Sequence, residues 1–184
     1  LCPHFHIPLQ SADDDILKRM GRPYTADFFA QRVRKIHQRL AHAAIGADVL
    51  IGFPGESDAA FQNTIVLIES LPLTYLHVFP FSPRTGTPAE HMPNQVPVSV
   101  VKERCRQIRE LGVNKKRQFY DRFVGKQVNV LLEAKRDKAS GLIKGQTANY
   151  IPILVDGSLA EANTIVSVKI EKRLGDRGML GGRS

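Results

Sequence analysis

Three times between residues 4 and 119, a short apolar run is followed by a segment of helical spacing. That alternation constrains the fold more than any other feature of the chain. The run "HFHIPLQ" precedes Ser11, a predicted helix N-cap. Asp13, Asp14 and Asp15 then suit the positive end of a helix running through Met20. Thr25 is predicted to cap a second helix, with Phe29, Val33, Ile36 and Leu40 along one stripe. "IGADVLIGF" reads as a strand buried on both faces. "PGES" turns the chain into a helix carrying Phe61, Ile65, Ile68 and Leu71, which Pro72 ends. "YLHVFPF" is the third strand, followed by the turn-rich "SPRTGTPAEHMPNQVP" and a long basic helix from about Val98 to Phe119. Such alternation predicts an α/β fold of parallel βα units. Three units are a natural half of a β/α barrel, in which the βα loops "QSADD", "GFPGES" and "FSPRTGT" open on one face.

After Phe123 the texture changes. "VGKQVNVLLEA", "SGLIKGQTANYIPILV" and "TIVSVKIEKR" are short alternating runs separated by turn residues. They predict a small antiparallel β-barrel. The glycine-rich "LGDRGMLGGRS" lacks periodicity and reads as a disordered tail. The expected organisation is therefore a half-barrel over residues 1–121, a β-barrel over 122–173 and a tail over 174–184. The net charge of +8 is uneven. From Arg122 onward, 11 Lys/Arg face 6 Asp/Glu, against 15 and 12 before it. The smaller part is the more basic per residue, which favours a polyanionic partner there.

No apolar run approaches the roughly 20 residues that cross a bilayer, so no membrane partner is expected. "LCPHFHIPLQ" has neither the basic start nor the long apolar stretch of a signal peptide. Beginning without Met, directly on a strand, the chain reads as one from which upstream sequence has been cut. Cys2 and Cys105 form no paired metal motif and read as free thiols of a reducing cytoplasm.

Three segments could carry chemistry. In "GFPGES", Gly52 and Gly55 let backbone approach a ligand, while Glu56 either accepts hydrogen bonds from it or caps the following helix. No phosphate-loop pattern is present. In "LHVFPFSPRTGTP", His77, Phe79 and Phe81 share one strand face, and Val78 and Pro80 the other. Arg84 is placed to meet a carboxylate or phosphate, or to lie solvated in its loop. His4 and His6 share a face and raise the question of a metal. A zinc site needs a further ligand, for which His77 is the obvious strand candidate. With no Asp beside these histidines, packing and hydrogen bonding are expected of them, and no metal.

"CPHFHIPLQSADDDILKRMGRPYT", "IGADVLIGFPGES" and "LHVFPFSPRTGTPA", in that order, resemble the radical S-adenosylmethionine methylthiotransferases. "FVGKQVNVLLEA" and "GLIKGQTANYIPILV" are similar to the TRAM domain that closes those proteins. The resemblance implies the C-terminal half of a radical SAM barrel, with TRAM after it. That family holds a catalytic [4Fe-4S] cluster on a C-x-x-x-C-x-x-C loop and a second [4Fe-4S] cluster upstream. Neither loop is present, so the resemblance implies ligands outside this chain, no cluster cysteine within it, and a fragment inactive alone.

The resemblance further implies S-adenosylmethionine as cofactor. Gln10 and Ser11 would contact its ribose or amino-acid part and Arg22 would face its carboxylate. The segment from Asp48 through Gly52 and Gly55 to Glu56 would pack on adenosine, with Val78 and Phe79 along the adenine edge. Ala12 departs from the glycine common there. One branch of the family modifies a ribosomal protein and carries an acidic residue where Arg84 stands. Other branches modify the adenosine 3′ of the anticodon in tRNA. Arg84 and the basic C-terminal part favour tRNA, with Arg122, Lys126, Lys144 and Tyr150 as further RNA contacts. The phrases look most like the branch that thiomethylates N6-threonylcarbamoyladenosine. The rivals are the ribosomal-protein enzyme and a non-catalytic RNA-binding module. No stable protein partner is expected.

Overall fold

The computed structural model describes residues 2–156 and 162–183. They form two compact units, one of Phe5–Val113 and one of Leu1–His4 with Asn114–Ser184. The division falls at Asn114, inside a helix, rather than at Arg122 as the change of texture predicted.

In the first unit, β1 (His4–Gln10), β2 (Ala44–Ile51) and β3 (Tyr75–Pro80) form a sheet in that order. β2 and β3 are parallel, with Asp48 opposite His77 and Leu50 opposite Phe79. Side chains alternate across a strand, so Ile45, Ala47, Val49 and Ile51 all enter the core on one face. There they meet Phe29 and Val33 of α2 (Ala26–Arg39), Ile68 of α3 (Asp58–Ser70), and Cys105 and Ile108 of α4 (Val98–Asp121). Val49, Ile51, Ile68 and Ile108 have no exposed surface, and burial of each contributes about 1.5–3 kcal/mol. Thr74, also buried, ties β3 to β2 by accepting from the Ile45 amide at 3.0 Å. β2 was expected to be buried on both faces. Asp48 and Leu50 are instead only half-buried, because the helices cover just the Val49 side.

The helix starts follow side-chain oxygens. Thr25 accepts from the Phe28 amide at 3.2 Å and Ser57 from the Ala60 amide at 3.1 Å. The short α1 (Asp14–Arg19) starts at Asp13, not at Ser11, and the Asp13 carboxylate accepts from the Ile16 amide at 3.1 Å. Ser11 is buried at the end of β1, and its hydroxyl accepts from the Asp13 amide one step earlier.

The second unit is a closed barrel of β4 (Gln127–Arg136), β5 (Ile143–Thr147), β6 (Pro152–Val155), β8 (Met179–Arg183) and β7 (Ile165–Arg173), in that spatial order. Val130, Leu132, Ile153, Val155, Val168, Ile170 and Met179 fill it. Two expectations are corrected here. The expected disordered tail over 174–184 is ordered through residue 183, since β8 lies between β6 and β7 and completes the ring; residue 184 lies outside the described residues. The barrel is also not wholly antiparallel, because β6 and β8 run parallel. Arg117 grips Asp176 through two hydrogen bonds of 2.7 and 3.0 Å. As a solvent-screened surface pair it contributes little to stability. Among the described residues, no helix is long and apolar enough to cross a membrane.

Candidate functional site

A cleft of about 570 Å³ opens across the C-terminal ends of the three strands. Gln10, Arg22, Leu50, Phe79, Phe81 and Arg84 line it. Gln10 ends β1 with φ +67°, a left-handed backbone that non-glycine residues seldom adopt. The surrounding structure holds it there. The Tyr24 hydroxyl donates to the carbonyl of Pro8 at 3.1 Å, and the Ser11 amide turns back to the Leu9 carbonyl at 2.9 Å. Burial raises the Tyr24 hydroxyl above its ordinary pKa, with Arg22 opposing, so it remains a donor. The half-exposed Phe79 offers an aromatic surface to a cleft that Arg22 and Arg84 also line. Such a cleft can stack a planar ring and hold a carboxylate or phosphate.

Four of the expected residues therefore converge: Gln10, Arg22, Phe79 and Arg84. Ser11, Asp48, Gly52, Gly55, Glu56 and Val78 do not line the cleft. The Ser11 hydroxyl braces its own turn, and Val78 packs into the core on the helix side. Gly52 and Gly55 have φ of +82° and +89°. A Cβ on Gly52 would overlap Val101, and one on Gly55 would overlap the Arg19 guanidinium, so both glycines serve packing within the loop. Glu56 does not offer its carboxylate to a ligand. It is buried, accepts from the Gly52 amide at 2.9 Å and pairs with Arg104 at 2.8 Å. Arg104 also bonds the Glu56 carbonyl at 3.0 Å and Asp58 at 2.6 Å. Burial raises the Glu56 pKa, while the Gly52 amide and Arg104 oppose the shift. The carboxylate and guanidinium lock the loop; neither lines the cleft.

Asp48 lies outside the cleft as well, on the sheet face away from the helices. The carboxylate that sequence neighbours of the histidines do not supply comes from β2. Asp48 Oδ1 accepts from His6 Nε2 at 2.7 Å and lies 3.4 Å from His77 Nδ1. The other ring nitrogen of His6 is 3.1 Å from the Tyr75 hydroxyl. Burial, reinforced by Asp48, raises the Tyr75 pKa. Of the two sequence-neighbouring histidines, only His6 enters this cluster, and His77 completes it. Cys105 is buried in the core and its thiol is raised by that burial, whereas Cys2 is exposed.

In the second unit, Lys144 lines a groove of about 580 Å³ with Lys172 and Arg177. The sequence reading missed the latter two, Arg177 because it lies in the segment expected to be disordered. Arg122 and Lys126 are exposed, with the Lys126 ammonium 5.5 Å from the Phe123 ring. Tyr150 is half-exposed with φ +64°. One of its ring faces already stacks on His4 at 4.3 Å, leaving a single face for a base.

No family model matches the chain. Individual relatives do. A protein of Rickettsia prowazekii named threonylcarbamoyladenosine tRNA methylthiotransferase MtaB is 41% identical over 87% of this chain, which spans 36% of that protein. The Bacillus subtilis protein of the same name is 36% identical over 92% of the chain and 38% of its own length. The tRNA-2-methylthio-N(6)-dimethylallyladenosine synthase of Pelotomaculum thermopropionicum is 32% identical over the same shares. The chain thus spans just over a third of the curated relatives it matches. Over most of its own length, this chain is a homologue of the methylthiotransferases named MtaB.

Proposed function

We propose that the chain is the C-terminal portion of a cytoplasmic tRNA methylthiotransferase acting on N6-threonylcarbamoyladenosine by a radical S-adenosylmethionine mechanism. In this reading the βα units are half of the catalytic barrel, and β4 to β8 are a TRAM domain. One observation carries it: Gln10, Arg22, Phe79 and Arg84, spread over 75 positions of sequence, line a single cleft at the C-terminal ends of β1 and β3. The strained backbone of Gln10 supports it, since such strain collects at functional sites. Identity to the MtaB proteins above that to the dimethylallyladenosine enzyme supports the choice of base.

The cleft fits S-adenosylmethionine. Phe79 and Phe81 offer surface to the adenine, Arg22 a partner for the carboxylate, and Gln10 an amide for hydroxyl groups. Bound there, the cofactor supplies methyl and radical chemistry. These residues bind and orient it, and the apolar wall of Leu50 and Phe81 excludes water. The chain's cysteines do not fit an iron–sulfur cluster: there are only two, and Cys105 is sealed in the core.

In the complete, cluster-loaded protein, Arg22→Ala is expected to weaken S-adenosylmethionine binding about 10- to 100-fold. That is the loss of one hydrogen bond to a charged group. Transfer-RNA affinity should stay within about twofold, and equilibrium dialysis with labelled cofactor checks both. Unchanged cofactor binding in both Arg22→Ala and Gln10→Ala variants would sink the reading.

For RNA, we assign contacts to Arg84, Arg122, Lys126, Lys144 and Tyr150, joined by Lys172 and Arg177. Replacing Lys144, Lys172 and Arg177 together by Ala should flatten the plot of log affinity against log salt by roughly 2, at about 0.7 per lost phosphate contact on single-stranded RNA. A salt series in filter binding measures the slope. An unaltered slope removes the groove from the interface.

A further inference from the structure

We propose that His6, Asp48 and His77 form a binding site for one divalent transition-metal ion of the zinc class, with at least one position open to water. This goes beyond the methylthiotransferase reading and does not depend on it. The three residues come from three neighbouring strands, so a hydrogen-bonded sheet fixes their backbones. Asp48 and His77 are direct partners in the β2–β3 register. Their ligand atoms, together with His6 Nε2, lie within 4.8 Å of one another. Donors on a four-coordinate ion with bonds of 2.0–2.1 Å are about 3.3 Å apart. The remaining gap is within the reach of side-chain torsions of His77, whose side chain is 54% exposed.

The site is built outward as well. A ligating imidazole characteristically donates its second ring N–H to an oxygen, which selects the tautomer. The Tyr75 hydroxyl stands 3.1 Å from His6 Nδ1 for that purpose, leaving Nε2 to the metal. Tyr75 can lie there only because residue 46 is glycine; a Cβ on Gly46 would overlap the Tyr75 ring. Two imidazoles and a carboxylate suit zinc, ferrous iron or nickel rather than calcium or magnesium, which prefer all-oxygen sets. A metal would displace the proton between His6 Nε2 and Asp48, so the present cluster, with His77 3.4 Å from the same carboxylate oxygen, is the metal-free form of the same site.

The test is a titration of the chelator-treated 184-residue chain, in a Cys2→Ser background, with Zn²⁺ alone and with Co²⁺ as the coloured probe. One equivalent of Zn²⁺ and a Co²⁺ visible band of nitrogen and oxygen ligation are expected. Asp48→Asn and His77→Ala should each weaken binding at least tenfold, and Tyr75→Phe about tenfold. His37→Ala should change nothing. Urea midpoints of the metal-free variants show which of them remain folded. Should His77→Ala unfold, Asp48→Asn and the Zn²⁺-induced shifts of the His6 and His77 ring proton resonances decide. Absence of stoichiometric binding, or affinity unchanged in Asp48→Asn, overturns the proposal.

Discussion

Arg104→Met is expected to destabilise the Phe5–Val113 unit by about 3–5 kcal/mol, because it strands a buried carboxylate. Glu56 is held by the Gly52 amide and Arg104, with almost no access to water. Removing the guanidinium leaves the carboxylate to bear its desolvation alone, and that is the costly way to break a buried pair. Replacing both partners should cost much less: Glu56→Gln keeps an acceptor for the Gly52 amide, and Met fills the volume over the Phe61 ring, where the guanidinium now sits 5.1 Å away. Urea unfolding of the single variants and the double variant measures the coupling. If the double variant is as unstable as Arg104→Met, the cost is lost packing and the charge argument fails. Glu56 titrates upward from its ordinary pKa on burial. By sign, its ionisation draws stability down as pH rises from the ordinary carboxylate value through the raised one. Arg104 opposes that loss, so the single variant should show the steeper fall.

Deleting residues 174–184 is expected to abolish the cooperative unfolding transition of the second unit. β8 is the only strand that joins β6 to β7 among the described residues, and without it the ring has two open edges. Met179 alone, with no exposed surface, should cost about 2–5 kcal/mol on replacement by Ala. Circular dichroism melting and amide exchange across β4–β7 report the effect. Full retention of slow-exchanging amides in the truncated chain would show that β8 is dispensable.

What the sequence made readable was whatever local chemistry decides. Thr25 caps its helix, the 98–121 helix appears within two residues of its predicted end, and all three βα strands lie where the apolar runs placed them. The misreadings share a cause: partners distant in sequence. Glu56 sits in a turn that suits a ligand or a cap, and nothing local reveals Arg104, 48 positions on. Asp48 meets His6 across 42 residues. "MLGGR" reads as part of a disordered tail because it is rich in glycine and lacks periodicity. The fold shows why the glycines are there. A Cβ at Gly181 would overlap Val168, and one at Gly182 would meet the Glu171 carboxylate, so the strand is admitted by its missing side chains. Ser11 reads as the cap of α1, but it is buried at the end of β1, and Asp13 caps the helix instead.

The contrast between the two sheets bears on handling the polypeptide. Among the described residues the five-stranded ring has no edge strand, whereas β1 and β3 each have a single hydrogen-bonded neighbour. Two raw margins flanking an aromatic, histidine-bearing face invite edge-to-edge polymerisation at high concentration. Preparations of this polypeptide should therefore aggregate through the α/β portion, with the ring still folded inside the aggregate.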